Sequence, residues 1–164
     1  MIISLLRFSF KPDVSEEEKA EALAAMRRTA SVESTVFSTV GRDLGDPAEG
    51  FTHASVTAIP DLDALERYMH DPVHVEGDKY ILPRLAKQSA VRLSDDPDAE
   101  LPRKIFAIYA RRVEGDPEWG REVEALFAAA GTKPTPKGTA VDEDDARVDQ
   151  GTPTPDNDTP TAHR

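Results

Sequence analysis

Apolar residues at Ile2, Leu6, Phe8 and Phe10 share one face of an opening extended segment, residues 2–10, while Ile3 and Leu5 point to the other face. A sheet with one wet face would alternate apolar and polar positions cleanly, so both faces of this strand call for cover. Ser15 with Glu18 spells a capping box for a helix carrying Leu23, Met26 and Ala30. Further strands are predicted at 35–40, ending at Gly41, and at 51–59, after a loop with Gly45, Pro47 and Gly50. Asp61 caps a helix through Leu62, Leu65, Tyr68 and Met69. Beyond Pro72, the positions of Tyr80, Ile81 and Leu85 suggest another helical piece, and residues 90–93 form a short last strand.

The order β-α-β-β-α-β predicts an α+β fold, the ferredoxin-like split β-α-β arrangement, over residues 1–97. Two helices cover one side of such a four-stranded sheet. A second copy of the same sheet is the economical cover for the other side, giving a homodimeric α/β barrel. The rival cover is a helical extension at 98–131. There Ile105, Phe106, Ile108, Tyr109 and Val113 mark one helix that stops at Gly115, and Asp116 with Pro117 opens a second helix ending at Gly131. Trp119, Val123, Leu126 and Phe127 line one face of the second helix, so the pair is expected to dock.

From residue 132 to 164 the chain has no aromatic residue and no Leu or Ile, and is rich in Thr, Pro and Asp. Such a segment buries too little to offset the entropy of ordering, and it reads as a disordered acidic tail that keeps the protein soluble. The net charge of -11 argues against nucleic acid and anionic membranes as partners. Without cysteine, disulfides, thiolate metal sites and a cysteine nucleophile are excluded. The opening apolar run breaks at Arg7 and has no leading basic region, which suggests a cytoplasmic protein.

Candidate chemistry concentrates in RYMHDPVHVEGDKY, residues 67–80. His70 and His74 have a spacing that would share a face on a continuous helix, but Pro72 disfavours helix at Asp71 and breaks the pair. No metal site is expected there, and His70 reads as a helix end. Tyr68 leans toward the apolar face of its helix, either as a core tyrosine with one partner or as a donor to a developing oxyanion. His74 sits near a helix start, where a neutral ring is favoured, and reads either as a general base or as a turn-fixing histidine. His53 shares a strand face with Phe51, Ser55 and Thr57, which suggests a hydrogen-bonded layer or the lining of a cavity. Ser4 on the first strand is its candidate neighbour.

The pieces MIISLLRFSFKPDVSEEE, VGRDLG, FTHASVTAIPDLDALERY and DPVH occur in an order and spacing that resembles the stress-responsive A/B barrel (Dabb) domains, a family of dimeric α/β barrels. The resemblance covers about residues 1–97. It implies a site similar to that of polyketide cyclases of the olivetolic acid type, with Tyr68 and His74 acting on the substrate and His53 kept on the third strand. Two positions depart from the family pattern: Ser4 and Asp71 stand where histidine is frequent. The resemblance therefore implies a cofactor-independent cyclase or lyase acting on a small hydrophobic carbonyl compound, with Tyr68 and His74 catalytic and His53 and Ser4 binding substrate. The alternative is a non-catalytic dimeric module that binds a ligand or partner. A heme- or quinone-handling monooxygenase of similar barrel shape is a weaker third reading.

Overall fold

A computed structural model describes residues 1–133. The predicted tail lies outside the described residues from 134 onward. Nine principal elements follow one another: β1 (Ile2–Phe10), α1 (Glu16–Thr29), β2 (Phe37–Arg42), β3 (His53–Ile59), α2 (Leu62–His70), α3 (Pro72–Ile81), β4 (Leu85–Ser94), α4 (Leu101–Gly115) and α5 (Pro117–Ala129). The strands form one antiparallel sheet in the order β2-β3-β1-β4, the ferredoxin-like α+β arrangement.

The caps written in the sequence close as predicted. Ser15 accepts from the Glu18 amide at 3.2 Å while Glu18 accepts from the Ser15 amide at 3.1 Å. Asp61 caps α2 through the Ala64 amide at 2.8 Å. Asp116 caps α5 through the Trp119 amide at 3.1 Å. β2 begins two residues later than predicted, because the Thr35 hydroxyl is drawn into the preceding turn by the Ala30 and Val32 carbonyls. The last strand is ten residues long rather than four: Lys87, Gln88 and Ser89 look unlike strand residues, but β1 supplies a ladder along that whole stretch.

The even-numbered residues of β1 turn inward, toward the helices. α1 and α3 pack together on this side, α4 packs on α2, and α5 on β4. Ile2, Phe8, Met26, Ile59, Leu65 and Leu85 join Ile105, Trp119, Val123 and Phe127 in one continuous core, so α4 and α5 share the interior of the sheet domain. Arg111 of α4 also binds the Glu66 carboxylate of α2, its Nε donating at 3.1 Å. The extension therefore thickens the helical side and leaves the outer sheet face open. There Phe37, Val91 and Leu93 are 58%, 60% and 57% exposed. Among the described residues, no helix is long and apolar enough to cross a membrane.

Candidate functional site

A cavity of about 160 Å³ lies between the inner sheet face and the helices. It is walled by residues from every layer, including Ser4 of β1, Thr57 of β3, Tyr68 of α2, His74 and Asp78 of α3, and Trp119 of α5. The α2–α3 corner sets its chemistry. Asp71, with an extended ψ of 128°, ends α2 and caps α3 at once, its carboxylate accepting from the Val73 amide at 2.8 Å. Pro72 then begins α3. This single extended residue folds α3 back so that the Tyr68 and His74 rings meet with centroids 4.3 Å apart, tilted by 41°. His70 is sent the other way, its Nδ1 placed 2.9 Å from the Glu66 carbonyl oxygen, and does not share a face with His74.

Tyr68 is a hydrogen-bond donor by construction. Burial, reinforced by the negative charge of Asp78, pushes its ionisation well above the ordinary tyrosine range, and hydrogen bonding with Thr57 and Thr29 offsets only part of that. His74 is 8% exposed. Its Nε2 lies 3.8 Å from Asp78 Oδ2, and its Nδ1 is buried with no hydrogen-bond partner among the described residues. A proton on Nε2 is favoured by the facing carboxylate, which leaves the Nδ1 lone pair free to accept. Asp78 is itself held by the Trp119 indole, whose Nε1 donates to Oδ2 at 2.8 Å.

Of the four residues singled out in the sequence, the structure brings Tyr68, His74 and Ser4 to this cavity. His53 is on the same sheet face but pairs with Phe8, four residues and about 13 Å along the strand from Thr57. It stacks on Phe8 at 5.5 Å and is outside the cavity lining. Burial and the nearby Arg42 and Lys19 charges lower its proton affinity. Sequence reasoning missed Asp78, Thr29, Tyr109 and Arg92 as wall residues. His74 and Asp78 are four apart on one helix, a readable signal for that pair alone.

The sequence profile of the stress responsive A/B barrel domain, Dabb, matches residues 3–93. The chain belongs to the Dabb family. No curated protein matches it. Among solved structures, this Dabb domain is similar to an Arabidopsis thaliana protein at 22% identity, with a TM-score of 0.52 over 60% of this chain and 99% of that one. It is also similar to a hydroxynitrile lyase from Passiflora edulis, at 19% identity and TM-score 0.53 over 58% and 94% of the two chains. A Dabb family protein with a ferredoxin-like fold from Mesorhizobium loti gives 18% identity and TM-score 0.52 over 58% and 96%. At these identities the likeness is one of fold.

Proposed function

We propose that this Dabb domain is a cofactor-independent lyase or cyclase that moves a proton at the carbon next to a carbonyl. The observation that carries the reading is the Tyr68–His74 contact in the cavity wall, with the His74 Nδ1 lone pair buried and unpartnered among the described residues. Nδ1 takes the α-proton, and the electron pair of the broken C–H bond moves onto the carbonyl oxygen as an enolate. Tyr68, kept neutral by burial, donates its O–H to that oxygen. In a cyclase step the enolate carbon attacks a second carbonyl of the same molecule, and the proton on His74 returns to the new alkoxide. A lyase step runs the same transfers toward bond cleavage.

Volume limits the substrate. About 160 Å³ is close to the size at which an apolar cavity takes up one benzene ring, so the reacting part is small. A longer poly-oxo chain would have to extend into the neighbouring groove of about 530 Å³, which shares Ile2, Ala90 and Arg92 with the cavity. The test is deuterium uptake at the α-carbon of small 1,3-dicarbonyl compounds, followed by NMR. Wild type should accelerate exchange, and His74→Ala should lose about 100-fold or more. Unchanged exchange in His74→Ala would remove this assignment.

The second reading is a non-catalytic homodimeric binding module, and the observation favouring it is the exposed outer sheet face with Phe37, Val91 and Leu93. A homodimer joined through that face is compatible with both readings, since the cavity is on the opposite side of the sheet.

A further inference from the structure

The Dabb profile ends at residue 93, yet the wall of the cavity does not. α5 sends Trp119 into it, and the indole Nε1 donates at 2.8 Å to Oδ2 of Asp78, the same oxygen that lies 3.8 Å from His74 Nε2. Three side chains from two helices therefore stand in line behind the His74 Nδ1 lone pair. His74 and Asp78 come from one turn of α3, inside the profile; Trp119 comes from outside it.

Trp119 is itself firmly held. Asp116 ends α4 and caps α5, accepting from the Trp119 amide at 3.1 Å, and Pro117 begins α5. Asp71 and Pro72 do the same at the start of α3, so His74 and Trp119 are both third residues of helices opened by an Asp-Pro pair. The Arg112 guanidinium lies over the indole at 4.7 Å, and the Tyr109 ring packs on it at 5.3 Å. At the next residue, Gly120, an added Cβ would fall 2.7 Å from Val113 Cγ1, which shows how closely α4 and α5 approach. The indole N–H is thus presented from a fixed point. The Asp78 and His74 side chains are both largely buried, so water competes weakly for either. Under those conditions the group facing Nε2 decides which ring nitrogen carries the proton. An indole N–H donates and never accepts, so it orients the carboxylate without acting as a rival base.

We propose that Trp119 is a positioning residue for His74, fixing Asp78 opposite Nε2 so that the ring holds its proton there and keeps the Nδ1 lone pair for the substrate. The role rests on the reading of His74 as the proton acceptor and adds the extension to the working parts of the site. Residues 1–97 contain Tyr68, His74 and Asp78, but not the group that orders the last two.

Trp119 is the only tryptophan in the chain, so it gives the single indole N–H signal in an NMR spectrum. In wild type that proton should exchange slowly with solvent. Nitrogen-15 spectra of histidine-labelled protein at a pH of about 8.5, where an ordinary histidine is neutral, should show the His74 ring protonated at Nε2 and bare at Nδ1. Loss of the signals in His74→Ala assigns them. Trp119→Phe keeps an aromatic ring and removes the donor, while Asp78→Leu removes the acceptor at similar size. Both should move part of the ring proton to Nδ1. In the dicarbonyl exchange assay both should lower kcat by about tenfold, the worth of one hydrogen bond to a charged group, with KM changed by no more than about twofold. A fast-exchanging indole N–H or an Nδ1-protonated ring in wild type would overturn the inference without any variant. So would an unmoved ring proton in Asp78→Leu, or an unchanged kcat in folded Trp119→Phe, and both would leave the proton-transfer reading standing. Failure of wild type to exchange dicarbonyls would instead remove the proton-transfer reading, and the ring nitrogen signals would still decide whether Trp119 and Asp78 set the position of the proton.

Discussion

Gly77 stands in α3 between His74 and Asp78, on the side packed against α1. A Cβ added there would lie 2.2 Å from Thr29 Cγ2, far inside van der Waals contact. Thr29 is only 5% exposed, and its hydroxyl donates to the Met26 carbonyl at 2.9 Å, so the methyl cannot swing away without losing that bond. Alanine gains about 1 kcal/mol over glycine in helix propensity. Overpacking a filled interior costs about 1–3 kcal/mol, and a pinned methyl at this distance belongs at the upper end. Gly77→Ala should therefore lose about 2 kcal/mol net, lowering Tm by roughly 4–8 °C in a chain of this size. Thr29→Ser removes the methyl and keeps the hydroxyl, at a cost of about 1 kcal/mol for the lost burial. In the Thr29→Ser background, Gly77→Ala should turn stabilising by about its propensity gain, 1 kcal/mol. The assay is a double-mutant cycle on the four proteins at one concentration, by thermal and urea unfolding, with an expected coupling of about 3 kcal/mol. A higher Tm for Gly77→Ala alone, or equal effects in the two backgrounds, would refute the claim that the α1–α3 approach excludes a side chain here.

Two further outcomes are expected. Leu93→Asp places a charge on the open sheet face and should shift a homodimer toward monomer in sedimentation velocity while leaving the Trp119 environment unchanged; an unaltered oligomeric state would argue against assembly through that face. Asp43 accepts from Arg7 Nε at 2.5 Å and from the Gly45 amide at 2.6 Å, and these bonds hold its carboxyl below its ordinary 3.8. A carboxyl lowered on folding lends stability that is complete above its unfolded value and drains away as pH falls through the folded one. Asp43→Asn should therefore lower the urea midpoint near neutral pH and make it fall less steeply below about pH 4; an equally steep acid limb would count against that pair.

The two-faced pattern of β1 announced a sheet covered on both sides, and Asp71-Pro72 announced the corner that separates His70 from His74. Both are local signals, set by strand alternation and by proline sterics; the structure has the corner where the sequence put it, and it covers the inner face of β1 with helices while the outer sheet face stays open, with Phe37, Val91 and Leu93 exposed. The length of β4 was not legible, because Lys87, Gln88 and Ser89 become strand only through pairing with a partner eighty residues earlier. His53 was read onto the correct sheet face, but strand parity says nothing about distance along the strand, and Phe8 separates it from the cavity side. The extension was expected to dock, and its amphipathic face names the residues that bury. Which side of the sheet it would choose depends on the shape offered by α2 and β4, which no helical period encodes. The parts of the candidate wall that came from it, Tyr109 and Trp119, were therefore visible as core residues and invisible as lining.

β1 writes two messages on one strand. Its even positions, Ile2, Ser4 and Leu6, line the cavity, and its odd positions, Ile3 and Leu5, face the open side of the sheet. Neighbouring positions therefore meet unrelated surroundings, one set the cavity wall and the other the open sheet face. Substitutions at the even positions would reshape the cavity wall and substitutions at the odd positions the open sheet face, with the same backbone serving both.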